Sequence, residues 1–190
     1  MNYTLTRNIK KLSVGQIVYS AMCYENGTMF DDGTLLKLSD HGFRWICGDE
    51  YGGEWLKEQA KKKNYKVHIK NSTDQINNLS LQGPNSRKIL EKIIFTPPTQ
   101  PSISELEWFR FTICRLEELN GIPLIVSRTG YTGELGFEIW CHPSDAPTVW
   151  DKVMEAGKDE GLIPAGFAAL DILRIEAGLI LFGNEFDGQQ

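Results

Sequence analysis

The sequence predicts an α+β protein in which an antiparallel β-meander and β-hairpins pack with helices. Three observations carry that expectation. Two Asn-Gly dipeptides, Asn26-Gly27 and Asn120-Gly121, sit between apolar runs; Phe137 to Cys141 alternates apolar and polar; and two amphipathic helical periods close the chain. Strands dominate early, with helices interspersed.

The first strand signal runs from Ile17 to Tyr24, followed by the Asn26-Gly27 turn and apolar pieces around Met29 and from Leu35 to Leu38. Asn-Gly is a strong hairpin signal because a type I′ turn needs positive φ at both central positions. Asp40, His41 and Gly42 make a second turn before a strand at Phe43 to Cys47. A helix is expected from Glu54 to Lys63, burying Trp55, Leu56 and Ala60, then short strands at Tyr65 to Ile69 and Ile76 to Leu81. After Gln82-Gly83-Pro84, the apolar residues Ile89, Leu90, Ile93 and Ile94 recur at helical spacing, with the proline suited to a helix start. Phe95 to Pro101 reads as a connection inside one domain rather than a boundary. Ser102 and Glu105 have capping-box spacing and predict a short helix. Strands at Phe111 to Leu119 and Ile122 to Arg128 flank the second Asn-Gly turn. On the strand after them, Phe137, Ile139 and Cys141 face one side while Glu138 and Trp140 face the other. The closing helices span Asp145 to Glu160, with Val149, Trp150, Val153 and Met154 on one face, and Ala165 to Ala177, stopped by Gly178.

Composition narrows the function classes. A net charge of −5 argues against a nucleic-acid binder, which needs a basic face to displace counterions from phosphate. The Lys61-Lys62-Lys63 run reads as a solvated helix end, where cations suit the macrodipole. No apolar run is long enough to cross a bilayer and Met1 to Lys11 is polar, so the expected location is cytoplasmic, without a membrane partner. Cys23, Cys47, Cys114 and Cys141 are widely spaced, and His41, His68 and His142 include no pair at ligand spacing, so no metal site is expected.

The densest chemical signal is SRTGYTGELGFEIW, Ser127 to Trp140. Gly130, Gly133 and Gly136 allow a tight loop whose backbone approaches a flat ligand closely. The order is neither a dinucleotide fingerprint nor a P-loop. A second segment places Gly15-Gln16 and Tyr19 ahead of Gly27 and the paired Asp31-Asp32. Taken alone, Glu138 is an exposed strand carboxylate, and two aspartates beside Gly33 make a common turn.

Both segments resemble the aminomethyltransferase family, the T-protein of glycine cleavage and its relatives, and that resemblance reverses these plain readings. The first is similar to the family's RTGYTGE-x-G-[FY]-E run and the second to its GQ-x-x-Y…G-x-x-x-DD segment. Leu79 to Pro84, the Asp171 to Gly178 helix (similar to D-x-L-R-L-E-A-G) and Phe182 to Glu185 extend the match over about Thr6 to Asp187. The resemblance implies a tetrahydrofolate-dependent aminomethyl or methyl transferase. Tyr131 and Glu138 would line the pterin pocket, Tyr19 would contact folate, and Asp32 would be the catalytic carboxylate. A carboxylate suits a pterin because its two oxygens accept together from a flat pair of N–H donors. Arg174 and Glu176 read as packing and ion-pair residues. The one-carbon donor is either a small N-, S- or O-methyl compound or an aminomethyl group on a lipoyl carrier protein. A non-catalytic folate-binding module is the alternative, against which the paired aspartates argue.

Two departures from the family qualify these expectations. Leu170 stands where glycine-cleavage members have an arginine associated with the folate tail, which shifts the expectation toward a demethylase-like donor. The match also covers only the middle of a family member, so residues 1–190 are expected to be one folate-binding region and an internal fragment, lacking the family's N-terminal segment and C-terminal barrel domain. The apolar run Leu179 to Phe182, followed by a loop through Gly188, is expected to lie uncovered. On that basis the isolated chain is expected to be poorly soluble or to self-associate, and, without the flanks that would close the folate cleft, to lack measurable transfer activity.

Overall fold

A bulged loop at Asn26-Gly27, rather than a two-residue type I′ turn, sets the first sheet. Gly27 has φ 89° while Asn26 does not enter the left-handed region, and the pairing shifts between Met22 and Cys23. The Asn26 carboxamide oxygen instead accepts from the Thr28 amide and hydroxyl at 3.1 and 2.8 Å. Strands β1 (Ile17–Cys23), β2 (Met29–Lys37) and β3 (Phe43–Cys47) form an antiparallel sheet in the order β1-β2-β3. This is a computed structural model, and it describes residues 1–187.

The chain divides into two compact units, Met1–Asn71 with the chain from Ile180 onward, and Ser72–Leu179. In the first unit, helix α1 (Tyr51–Lys62) starts three residues earlier than the sequence suggests and buries Gln59 rather than Ala60 beside Trp55 and Leu56. Its partners are Leu5, Ile9, Leu12, Met22, Phe30 and Leu35, with Phe30 and Trp55 ring centroids 5.2 Å apart. Lys61 and Lys62 occupy its last turn and are exposed, as expected of a helix C-terminus. Tyr65 to Ile69 is not a strand. Its alternation is that of a strand, but the segment pairs with nothing among the described residues and leaves Tyr65 and Val67 exposed.

The second unit has a five-stranded antiparallel sheet in the order β4-β8-β7-β6-β5: β4 (Asn77–Gln82), β5 (Ile94–Phe95), β6 (Phe111–Leu116), β7 (Pro123–Ser127) and β8 (Gly136–Cys141). Strand β6 ends three residues short of the expected Leu119, because Glu117 enters the left-handed region at φ 61° and the loop begins there. The Ser102 and Glu105 side chains do close a reciprocal box, with Ser102 Oγ to Glu105 Oε2 at 2.7 Å and Glu105 N to Ser102 Oγ at 3.4 Å. It makes a single turn rather than a helix, since one closed turn does not repay nucleation and Phe109 turns left-handed shortly afterwards.

Helices α2 (Ser86–Glu91) and α3 (Ala146–Gly157) supply Ile89, Leu90, Val149 and Val153 to the core formed by Phe137, Ile139, Val126, Leu124 and Cys114. Trp150, expected on the buried face of α3, is exposed, and Gly157 completes that face instead. Helix α4 (Phe167–Glu176) stops where expected: Gly178 has φ 72° and Leu179 N reaches back to Arg174 O at 2.8 Å. The expectation that Leu179 to Phe182 lies uncovered is corrected. Leu179, Ile180 and Phe182 are half-buried while Leu181 stays exposed, Phe182 meets Phe186 edge-to-face with centroids 5.6 Å apart, and a Cβ at Gly48 would meet Phe182. Gly188 lies outside the described residues. Helix α4 also carries exposed apolar side chains, with Phe167 89% and Ile172 60% exposed.

Candidate functional site

Hairpin register separates the paired aspartates. Tyr19 lies opposite Thr34 and Ala21 opposite Asp32, so the two-residue period puts Tyr19 and Asp32 on one face and Asp31 on the other. The Tyr19 hydroxyl donates to Asp32 Oδ2 at 2.5 Å, with Tyr19 exposed and Asp32 half-exposed. Burial raises the Asp32 pKa, and the Tyr19 hydrogen bond opposes the rise without cancelling it.

Asp31 is fully buried and acts as a scaffold. Its Oδ1 accepts from the Asp32 amide at 2.8 Å and the Gly48 amide at 3.3 Å, and its Oδ2 from the Asp49 amide at 3.4 Å. Burial raises its pKa as well, against the pull of those donors. The adjacent Cys47 thiol is pushed up to about 12 by burial and by the Asp31 charge, so it stays protonated at neutral pH. The two carboxylates leave the strand on opposite sides, so their adjacency in sequence does not crowd them together.

In the second unit, β8 carries Glu138 between Ser80 of β4 and Ser127 of β7. Asn78 Nδ2 donates to Glu138 Oε1 at 2.8 Å, and Thr129 Oγ1 donates to Oε2 at 2.5 Å. Thr129 is held in turn by Ser127 Oγ at 2.6 Å, and Ser127 accepts from Trp140 Nε1 at 3.3 Å. Both carboxylate oxygens are therefore aimed, and each retains a lone-pair direction for a further donor. Tyr131 is half-buried in the loop between β7 and β8, two residues beyond Thr129. The structure thus joins Tyr19 to Asp32 within one unit and puts Tyr131 and Glu138 in the other, with no contact between them shown.

Gln82 organises that loop, and the sequence gives little sign of it. Its Nε2 donates to Thr129 O and Phe137 O, each at 3.3 Å, and its Oε1 accepts from Thr132 Oγ1 at 3.4 Å. A Cβ at Gly130 or at Gly136 would run into the Gln82 carboxamide. These glycines therefore make room for an internal amide rather than for a flat ligand, which corrects the sequence-based reason for them. Gly136→Ala is expected to cost about 1–3 kcal/mol by overpacking. Gln82→Ala in the same chain should recover part of it, read as a non-additive cycle of melting temperatures. Fully additive losses would show that the two residues do not compete for the space.

Leu170 is half-buried on α4. Arg174 is buried, with Nε 2.8 Å from Asp171 Oδ1 and a guanidinium nitrogen 3.1 Å from Leu179 O, so it holds the helix end as expected. Two shallow hollows of about 380 and 330 Å³ lie along Lys57 to Ile69 and around Ile9, Lys37 and Phe43. Neither is lined by Tyr19, Asp32, Tyr131 or Glu138, so the candidate site rests on side-chain geometry.

An antiparallel α+β fold bearing these two carboxylate arrangements defines a class, and sequence comparison gives it a family: the model of the GCVT N-terminal domain matches residues 1–190. The chain belongs to that family, the aminomethyltransferase or glycine cleavage T-protein family. It is 53% identical over 187 residues to the trimethylamine-oxide aldolase of Ruegeria pomeroyi, covering 98% of this chain and 24% of that protein. It is 38% identical to the aminomethyltransferase of Alkaliphilus metalliredigens, over 98% of this chain and 49% of that one. The crystal structure of the glycine cleavage system aminomethyltransferase T from Bartonella henselae superposes with a TM-score of 0.73 at 26% identity, covering 98% of this chain and 47% of that one. The chain spans about half the length of these aminomethyltransferases and a quarter of the aldolase. No described helix is long and apolar enough to cross a membrane.

Proposed function

We propose that this chain is the folate-binding part of a tetrahydrofolate-dependent one-carbon transferase whose carbon originates in an N-methyl compound. The observation that carries the folate reading is Glu138, a half-buried carboxylate with each oxygen already held by one protein donor. That geometry suits the flat pair of N–H donors on a pterin edge, which an aimed carboxylate accepts together. Tyr131, in the loop that Thr129 and Gln82 anchor, would border the ring.

Folate supplies two amines that take up a one-carbon unit. Asp32, ionised and steadied by Tyr19, would stabilise positive charge or take a proton at the amine being alkylated. Its half-exposed position leaves one carboxylate oxygen outside the Tyr19 contact. The donor class follows from likeness to a protein named for trimethylamine oxide. Aldol-type cleavage of such a compound divides it into dimethylamine and formaldehyde with no atom left over. Formaldehyde condenses with the two folate amines with loss of one water, so an acceptor of this kind would remove the aldehyde as it forms.

Titrating tetrahydrofolate while following tryptophan fluorescence tests the reading, since Trp140 shares the face of Glu138. Saturable quenching, competed by a methyl-tetrahydropterin, is the expected result. Absence of saturable binding in the native protein would overturn the folate reading.

A further inference from the structure

The face that carries Tyr19 and Asp32 continues along the sheet to a cation, Arg44, that no described residue satisfies. Asp32 lies beside Gly48, Thr34 beside Ile46 and Leu36 beside Arg44, because Gly33 pairs with Cys47 and the register runs regularly to Lys37 and Phe43. Asp32, Thr34, Ile46 and Arg44 are all partly exposed, whereas Leu36 and Ile17 on the same face are buried. The accessible strip therefore crosses from the central strand β2 to the outer strand β3. Gly48 and Arg44 are four residues apart, which separates the Asp32 end of the strip from Arg44 by about 13 Å.

Among the described residues Arg44 makes no ion pair or hydrogen bond through its guanidinium. Burial alone lowers its pKa, with no neighbouring charge contributing. A partly desolvated cation without an acceptor is unfavourable to keep, and a planar guanidinium matches a carboxylate through two parallel N–H donors. Arg7, the other arginine of this unit, differs in this respect: its Nε donates to Tyr19 O at 3.3 Å, so that side chain is spent on the backbone of β1.

The geometry points to Arg44 as the residue that receives the carboxylate at the glutamyl end of a folate whose amines lie at Asp32. This rests on the folate reading above and adds a second anchor to it within the first unit. Arg44 is a binding residue in this scheme, remote from the reacting atoms. Its contribution would fall on ligands that carry the glutamyl group and be absent for those that stop at the pterin.

The test uses the native protein, with tetrahydrofolate and a methyl-tetrahydropterin lacking the aminobenzoylglutamate as probes. Arg44→Gln keeps a polar side chain without the charge, and Arg44→Lys keeps the charge without the fork. Tetrahydrofolate is expected to bind Arg44→Gln about ten- to a hundredfold more weakly than wild type. The pterin should bind both equally, Arg44→Lys should recover part of the loss at low salt, and melting temperatures should stay together. Equal tetrahydrofolate affinity in wild type and Arg44→Gln would overturn the assignment. So would a parallel loss for both ligands, which would make Arg44 a residue of the fold. Failure of wild type to bind either probe would instead overturn the folate reading on which the assignment rests.

Discussion

Asp32→Asn is expected to retain tetrahydrofolate with little change in Kd while lowering one-carbon transfer by roughly 10²–10⁴-fold, the range for a positioned proton-handling group. The substitution keeps the size of the side chain and an acceptor for Tyr19 Oη, now 2.5 Å from Oδ2, and removes only the charge and the basic oxygen. A group acting on developing charge contributes more to the transition state than to ground-state binding, so the effect should appear in kcat. The wild-type rate should also rise with pH through a value above the usual 3.8 of aspartate, since burial raises this carboxyl and only its ionised form serves. Asp32→Asn should lack that limb. Asp31→Asn keeps an oxygen for the Asp32 and Gly48 amides and faces away, so it should alter melting more than turnover. Greater loss of transfer in Asp31→Asn would mean that the pair has been read in the wrong register. Unchanged transfer in Asp32→Asn would favour a folate-binding module without chemistry of its own.

The two raised aspartates also set a sign for stability. Each folded pKa lies above the unfolded value, so folding takes up protons. The stability they contribute is fully present below the unfolded pKa and is lost as pH rises through the folded values.

Glu138→Ala is expected to weaken tetrahydrofolate by about 2–4 kcal/mol, because the pterin donors would then be desolvated without an acceptor. Asn78 Nδ2 and Thr129 Oγ1 would also lose their shared partner, at 2.8 and 2.5 Å in the native chain. Glu138→Gln separates the two effects. Its amide can accept at one oxygen only, so the fold should be kept while the second pterin donor is opposed by an N–H group. Calorimetric titration of both variants, with melting temperatures as the control for folding, checks this. Affinity equal to wild type in Glu138→Ala would remove the residue from the site.

Much of this architecture is local and was legible. Phe137, Ile139 and Cys141 are buried and Glu138 and Trp140 are not, as alternation alone demands. Gly178 ends α4 because a helix terminus needs a left-handed residue that glycine supplies without strain. The family motifs also brought out Tyr19, Asp32, Tyr131 and Glu138 as the residues to watch. Errors fell where a local pattern lacked a tertiary partner. Tyr65 to Ile69 alternates like a strand and pairs with none, and Ser102 closes its box with Glu105 without extending into a helix.

By itself, then, the sequence determined the α+β class, the hairpins, the helix stops and the family, all of which follow from side-chain type at short separations. Only the tertiary structure decided that Tyr19 bonds Asp32 while Asp31 is sealed among backbone amides, since a bulge at Met22 and Cys23 enters the strand register. It alone revealed Gln82 filling the space left by Gly130 and Gly136, and Arg44 without a partner among the described residues on the Asp32 strip. Such relations join residues from about a dozen to over fifty positions apart, and strand pairing and packing, rather than the preferences of neighbouring residues, select them.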